Sequence, residues 1–440
     1  MEFTLSDIIA ATNAKVLKNY SKEHDAYLIS TDTRTIEMGQ LFLPLKGDNY
    51  NGEDFIEKAV QRGASAVICT KPCDVDCNLI LQVEDTKQAY LQLAKYYKDK
   101  VNPKVVAITG SSGKTTTKEM AYSVIREKYS THCSELNYNN EIGLCRTILA
   151  MPRRTEVLIV EMGMRGLGEI ELLSQYAEPD ISIITNIGTS HIGRLGSKEN
   201  IAKAKCEIIS HQKPNGILIA KADKLISDIV GDAIYYSFEN AHITQRKSTK
   251  QKFEYQGYEY EIGVIGDHNV ENAMAVIELG HYLNIDDELI AAGLSKFKPI
   301  RKRWEVEEIN GIKIINDAYN ANPDSMKASI KTSMDNYPSV LFVLGDMAEL
   351  GENEVEYHKE IGEYLKEYNG RLLKVATVGK LSKEITNVLA DTEIESVNFE
   401  TKEGVAKYIL DNASFGTTIV LKASRSMKLE DVVEEIRNAK

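Results

Sequence analysis

Val105-Val106-Ala107-Ile108-Thr109-Gly110-Ser111-Ser112-Gly113-Lys114-Thr115-Thr116 decides how this chain is read. A short apolar run, a loop bracketed by glycines and a stretch of helix formers predict a buried strand over Val105 to Ile108, a tight turn, and a helix from Thr116 to Tyr129. A phosphate chain needs backbone N–H donors at close range. Glycine at Gly110 and Gly113 removes the Cβ that would hold it off, Ser111 and Ser112 lie between them, and the helix start adds its positive dipole end. Lys114 can reach β- and γ-phosphates, and Thr115, followed by Thr116, can set a hydroxyl on Mg²⁺. The general phosphate-loop pattern wants its first glycine at position 108, where this chain has isoleucine, so the loop is a shortened G-x-x-G-K-T form.

Reading outward, Val157-Leu158-Ile159-Val160 ends on Glu161, an acid at a strand end where nucleotide-hydrolysing folds hold Mg²⁺. His191 follows the apolar run Ile181 to Ile184 and the polar Asn186 to Ser190. A lone histidine is more often structural than a ligand, so His191 by itself is ambiguous. Guanine recognition would want Asn-Lys-x-Asp. The nearest match, Ala220-Lys221-Ala222-Asp223, lacks the asparagine, so the expected nucleotide is ATP.

The rhythm of the chain extends this unit into a fold. Short apolar runs at Val105, Val157, Ile181 and Ile217 are separated by helical lengths, as in a parallel sheet covered on both faces. Lys252 to Val264 alternates instead and predicts a β-ribbon turning at Gly257. His268 to Leu283 and Asp286 to Phe297 read as helices. The strand–helix rhythm restarts at Ile312 and runs through Val340, Val375 and Thr418 to a last helix over Leu429 to Asn438. Ahead of the phosphate loop lies a smaller α/β unit. It has an apolar run over Leu41 to Leu45, a turn-rich Lys46 to Gly52, a helix over Phe55 to Arg62 stopped by Gly63, and a polar end at Tyr97 to Pro103. The expected architecture is therefore α/β in three domains, 1–100, 101–311 and 312–440, with Lys296 to Gly311 as the hinge. The middle domain is a parallel-sheet ATPase of the phosphate-loop type.

Composition narrows the function. The 440 residues are 43% hydrophobic and 27% charged, as in ordinary globular proteins. No stretch approaches the ~20 apolar residues of a membrane span, and the N-terminal residues lack the basic and apolar regions of a signal peptide. With 53 basic and 65 acidic side chains the net charge is −12, which argues against a nucleic-acid binder. Six cysteines suit a reducing cytoplasm. Cys69, Cys73 and Cys77 recur every fourth residue, but no second pair lies nearby and Pro72 interrupts any helix that would align them, so they are expected to be structural.

Six motifs then occur in order: Gly110 to Thr116, Glu161-Met162-Gly163, Thr189-Ser190-His191, Ala204-Lys205-Cys206-Glu207-Ile208, His268-Asn269-Val270-Glu271-Asn272-Ala273, and Asn316-Asp317-Ala318-Tyr319-Asn320-Ala321-Asn322-Pro323. In these the chain resembles the Mur ligases, ATP-dependent enzymes that build the peptidoglycan stem peptide. The Asn316 to Met326 and Leu344 to Gly351 runs resemble the branch that adds D-alanyl-D-alanine.

The resemblance implies a cytoplasmic, monomeric ligase acting on UDP-N-acetylmuramoyl-tripeptide and D-Ala-D-Ala through an acyl phosphate. It also implies that the third domain is Rossmann-like. Thr115 and Glu161 would hold one Mg²⁺. His191 would help hold a second, together with Lys205 carbamylated by CO₂, Lys203 being the local alternative. Lys114, His191 and Lys205 would thus be catalytic. Asn269 and Asn272 would lie on the adenine side, with Arg303 and Asp317 toward phosphate and ribose. Asp32, Thr33, Arg34 and Lys46 would bind the uridine nucleotide, and Asn139, Asn140, Asn320 and Asn322 the remaining substrate.

Three positions depart from the family pattern: Thr33 where serine is common, Lys302 where glycine precedes the hinge arginine, and Ala423 where glycine is usual between Lys422 and Arg425. His358 is one of many titratable candidates for taking the proton of the attacking amine. A ligase adding the third amino acid is the nearest rival, but its usual Asp-Asn-Pro-Arg motif is missing. A folylpolyglutamate synthase would lack the first domain, and an ATP-dependent switch would bind ATP without turnover.

Overall fold

A computed structural model describes residues 2–22, 25–47, 50–135, 137–309, 311–414 and 416–439. Asp48 and Asn49, within the turn-rich stretch Lys46 to Gly52, lie outside them.

The central unit is a six-stranded parallel sheet. Its order is Ile234–Tyr236, Ile217–Lys221, Ile181–Ile184, Lys104–Thr109, Val157–Glu161, Thr131–Cys133. These runs are apolar because helices cover both faces; Val105 to Ile108 and Leu158 to Val160 are at most 1% exposed. The chain starts in the middle on Lys104–Thr109, builds toward one edge, then crosses back to build the other. In such sheets the crevice at the carboxyl ends of the strands where the order reverses is the ligand site. The phosphate loop leaves the sheet there.

The N-terminal sheet runs Lys15–Asn19, Leu79–Gln82, Ala66–Cys69, Leu41–Phe42, Ile29–Ser30, with its first pair antiparallel and the rest parallel. The C-terminal sheet runs Glu305–Ile309, Ile312–Asn316, Thr418–Lys422, Ser339–Gly345, Leu372–Val378, Glu395–Phe399, antiparallel only at its first pair. The ribbon is present as Gln251–Tyr255 and Tyr258–Ile262. Gln256 (φ +50°) and Gly257 (φ +82°) form its turn, both left-handed as a two-residue hairpin requires.

Several expectations shift. The phosphate-loop helix is Lys114–Ile125, starting two residues early because Gly113 caps it in the left-handed region. Glu305–Ile309 lies inside the stretch read as a hinge and is an edge strand of the C-terminal sheet; its charge density disguised it. The edge strands Glu395–Phe399 and Ala241–Arg246 escaped for the same reason, since their outer faces are polar. Tyr97 to Val101, read as a polar domain end, completes the helix Thr86–Val101, with Tyr97 and Lys98 turned inward. Cys69 and Cys77 are buried beside apolar neighbours. Among the described residues no helix is long and apolar enough to cross a membrane.

Lys98 joins the first unit to the second. It is 3% exposed. Its ammonium donates to Tyr176 O (3.2 Å), Ala177 O (3.1 Å) and Glu178 Oε2 (2.7 Å), at the end of the helix Glu169–Ala177. Burial lowers its pKa and the Glu178 carboxylate opposes that shift. Lys98→Ala leaves two helix-end carbonyls without this donor, so urea unfolding should show a loss of about 2–4 kcal/mol.

Candidate active site

Gly110 and Gly113 are glycine for two reasons. Both have positive φ (+152° and +79°), and a Cβ would lie 1.8 Å from Thr185 Oγ1 at the first and 2.4 Å from Asn272 Oδ1 at the second. The loop is braced from the next strand end. Thr185 Oγ1 donates to Ser112 O (2.6 Å), Asn186 Oδ1 accepts from Ser112 N (3.0 Å) and Asn186 O accepts from Ser111 N (3.1 Å). Gly188 N donates to Ser111 Oγ (2.8 Å) and Ser190 Oγ to Ser111 O (2.8 Å). The Ser111 and Ser112 amides expected to face phosphate are therefore engaged by Asn186. The donors left for an anion are the first-turn amides of Lys114–Ile125, a helix start that no side chain caps.

Around that start the structure gathers charge. Lys114 donates to Gly110 O (2.8 Å); burial lowers its pKa, Glu161 opposes this and Arg303 adds to it. Glu161 is 3% exposed; its Oε1 accepts from Asn139 Nδ2 (3.0 Å), while Oε2 is buried without a hydrogen-bond partner among the described residues. Lys205, on the helix Lys198–Cys206, is 2% exposed and has no hydrogen-bond or ion-pair partner among the described residues. Burial, reinforced by the charge of Lys114, drives its pKa well below the ordinary lysine value. Lys203 on the same helix is exposed, so the interior position is Lys205.

His191 sits at φ +65°, with Nδ1 2.6 Å from Glu349 Oε2 but off the line of a hydrogen bond. Burial lowers its pKa; Glu349 opposes that, and Lys205 and Lys114 reinforce it.

A buried carboxylate oxygen without a partner is the donor that a hard cation takes, and Mg²⁺ keeps most of its waters and needs only one or two carboxylates. Glu161, with the nearly buried Thr115 at the helix start, fits that requirement. No cluster of three or more His, Cys, Asp or Glu side chains suited to a metal occurs among the described residues.

Of the two asparagines expected to meet adenine, Asn269 Nδ2 donates to Ile265 O (2.8 Å), and Asn272 Nδ2 reaches Asn269 Oδ1 (3.4 Å) while its oxygen backs Gly113. From the C-terminal unit, Arg303 stacks 4.0 Å from the Tyr319 ring centroid. Asp317 accepts from Lys422 Nζ (2.6 Å) and from Trp304 N (3.3 Å). Ala423 Cβ fits because Gly345 opposite has no side chain. Arg425 pairs instead with Glu430 (2.5 Å).

The residues read as substrate-binding are dispersed. Asp32 is chelated by Arg34, through Nη2 (2.7 Å) and Nε (3.0 Å), which holds its pKa down at about 2. The Arg34 side chain is 84% exposed. Thr33 O accepts from Arg62 Nη1 (2.8 Å), and Lys46 is exposed. Asn139 holds Glu161. Asn140 caps the helix Glu141–Ala150, accepting from Gly143 N (2.9 Å). Asn320 is exposed, and its carbonyl accepts from Lys422 (3.3 Å). Asn322 caps the helix Pro323–Asn336 and donates to Ser190 Oγ. His358 is fully buried, with Nε2 accepting from Met347 N (2.9 Å) and Nδ1 facing Glu354 O (2.6 Å), which removes it as an amine base.

Sequence reading missed Asn186, Asp324 and Glu349. Asp324 Oδ2 accepts from both Thr189 N (2.7 Å) and Thr189 Oγ1 (2.6 Å). Asn186 lies just beyond the strand Ile181–Ile184, while Asp324, in the first turn of Pro323–Asn336, and Glu349 fall inside the two runs already quoted for the resemblance. Between the first and second units lies a cavity of about 370 Å³ lined by Ser30, Thr31, Asp32, Thr35 and Arg146 among others.

The chain belongs to the Mur ligase family, and it is an ATP-dependent ligase. Residues 25–108 match the family's catalytic domain, 108–280 its middle domain and 302–425 its glutamate ligase domain. UDP-N-acetylmuramoyl-tripeptide–D-alanyl-D-alanine ligase of Bacillus subtilis is 41% identical over 93% of this chain and 92% of its own. The Escherichia coli enzyme of that name is 30% identical over 93% of each. Among solved structures, MurF from Acinetobacter baumannii superposes with a TM-score of 0.91 at 27% identity, over 100% of this chain and 99% of its own. MurF from Thermotoga maritima, solved in complex with ADP, gives 0.84 at 27% identity over 95% and 98%.

Two measurements check the site. Gly113→Ala pushes a Cβ against Asn272 at a left-handed φ, so fluorescence titration should show ATP affinity down by about tenfold or more while the melting temperature moves little. His268 has its pKa lowered to about 4, by burial first, with Asp317 opposing. Because folding favours its neutral form, the contribution is complete above about pH 6.5 and is lost as pH falls from there toward about 4. His268→Gln should flatten the pH dependence of urea-unfolding stability in that window.

Proposed function

We propose that this chain joins D-alanyl-D-alanine to UDP-N-acetylmuramoyl-tripeptide, driven by ATP, and that Lys205 works as a carbamate. The observation that carries the reading is the trio around the helix start: Lys114, Glu161 with an unpartnered buried oxygen, and Lys205 buried without a counter-charge. The relatives that bear this activity in their names support the choice of substrates.

The tripeptide carboxylate attacks the γ-phosphorus of ATP, giving an acyl phosphate and ADP. The dipeptide amine then adds to the acyl carbon, and the tetrahedral intermediate expels phosphate. Both steps bring negative charge together. Lys114 and the first-turn amides donate to phosphate oxygens where that charge grows. Thr115 and Glu161 would hold one Mg²⁺, and His191 with carbamylated Lys205 a second; the bound cations would screen carboxylate from phosphate. Lys205 reaches its carbamate when the neutral ε-amine attacks CO₂ and loses a proton, turning a cation into a hard oxygen ligand. Burial favours that neutral amine. Arg303, Asp317 and the Asn269–Asn272 pair frame the adenosine.

The division of labour follows the three units. Residues 1–100 take the uridine nucleotide, 101–311 take ATP, and 312–440, with the edge strand Glu305–Ile309, close the site and receive the dipeptide. The six free cysteines suit a cytoplasmic place of work.

Phosphate release should require ATP, the UDP-linked tripeptide and D-Ala-D-Ala together; turnover without the dipeptide overturns the reading. Lys114→Ala should lower kcat by about 10²-fold or more with the fold intact. Lys205→Ala should lose most activity, with partial return when a short carboxylic acid is supplied. Mass spectrometry of the CO₂-equilibrated protein under trapping conditions should show an alkylated carbamate at Lys205, and an unmodified lysine in active enzyme excludes the modification.

A further inference from the structure

The cavity between the first and second units holds a cation that the substrate assignment above does not use. Arg34, the expected partner of substrate anions, points into solvent and is chelated by Asp32. Arg146 projects from the helix Glu141–Ala150 and lines the cavity from the opposite side. Among the described residues it forms no ion pair. Its guanidinium lies 5.7 Å from the Tyr138 ring centroid, makes a long contact from Nη1 to Tyr138 OH (3.5 Å) and also reaches the Tyr90 hydroxyl. An arginine held by an aromatic face, with most of its five donors unengaged, is set for a bidentate oxyanion.

The rest of the wall agrees. Ser30, Thr31, Thr35 and Thr147 bring hydroxyls to the same space. Two carboxylates also line it, Asp32 and Glu135. Asp32 is chelated and held ionised by Arg34, with Arg146 adding a weaker attraction across the cavity, and it remains an acceptor for hydroxyl or ring N–H groups. A cavity of about 370 Å³ is large enough for part of an extended substrate but not for a whole nucleotide-linked peptide. At 1.5 Å per residue, Arg146 stands about 9 Å along its helix from the cap Asn140, whose neighbour Asn139 holds Glu161, and it lines the same cavity as Ile29 and Ser30.

We infer that Arg146 is a specificity-determining residue that binds an oxyanion of the nucleotide-linked peptide in the inter-domain cavity, either the diphosphate or a free carboxylate of the stem. The inference rests on the substrate reading above.

Calorimetry on the full chain tests it, using UDP, UDP-N-acetylmuramoyl-tripeptide and ATP as separate titrants against wild type, Arg146→Leu and Arg146→Lys. Arg146→Leu should weaken the UDP-linked tripeptide by about tenfold or more, and Arg146→Lys by less, because a point charge replaces a planar fork. The Kd of ATP should stay within about twofold, which also reports an intact fold. Equal loss for UDP alone assigns the diphosphate; loss confined to the full substrate assigns the stem carboxylate. Affinity for the full substrate unchanged in Arg146→Leu, or equally weakened for ATP, overturns the inference while leaving the ligase reading intact. A wild-type chain that binds ATP but neither uridine compound overturns the substrate reading itself.

Discussion

Lys114, Lys205 and Arg303 are close enough to influence one another or a shared neighbour, and the carboxylate that answers Lys114 is Glu161. Like charges in a site largely closed to water cannot all stay ionised without anions to meet them. Burial accordingly presses both lysines toward their neutral forms, and Glu161 is left with an oxygen that no group among the described residues satisfies. In the proposed reading phosphates would answer the donors, a divalent cation would answer the carboxylate, and a carbamate on Lys205 would remove the least supported charge.

The scaffold holds this arrangement by placing it where the central sheet reverses its strand order. From that crevice Lys104–Thr109 delivers the loop, Val157–Glu161 delivers the acid, and Ile181–Ile184 runs into Thr185 and Asn186, which grip the loop from the side. Gly110 lets Thr185, and Gly113 lets Asn272, approach within distances that a side chain would forbid. The result is a loop whose inner amides are already committed, so anion recognition passes to the helix start beyond Gly113.

The C-terminal unit reaches the same place. Asp324 takes both donors of Thr189, Asn322 donates to Ser190, and Ser190 in turn donates to Ser111 of the phosphate loop. Glu349 stands against His191, and its carbonyl accepts from Gly193 N (3.2 Å). Gly193 and Gly351 meet so closely that a Cβ on either would lie within 2.6 Å of the other's backbone. Docking of this unit is therefore registered by the segment Thr189 to Gly193, through five polar contacts among the described residues and one glycine-on-glycine approach, and Ser190 passes it on to the loop at Ser111.

Local chemistry made much of this legible in advance. The strand–loop–helix of Val105 to Thr116, the acid at the end of Val157–Glu161, the ribbon turning at Gly257 and the apolar strands of a parallel sheet are dictated by side-chain pattern and by the few residues that tolerate left-handed backbone. The edge strands Glu305–Ile309 and Glu395–Phe399 were not legible, because an edge needs only one apolar face and shows the sequence a polar one. Nor could the chain by itself say which asparagines meet substrate: Asn140 and Asn322 are engaged as helix caps, and Asn139 and Asn272 brace Glu161 and the phosphate loop. The sequence by itself determined the class of fold and the phosphate loop, since both follow from neighbours along the chain. Tertiary structure alone decided that Lys205 rather than Lys203 is the buried amine, that Arg34 is engaged by Asp32, and that Arg146 faces the inter-domain cavity. Burial and charge pairing depend on residues distant in sequence, and only packing brings those together.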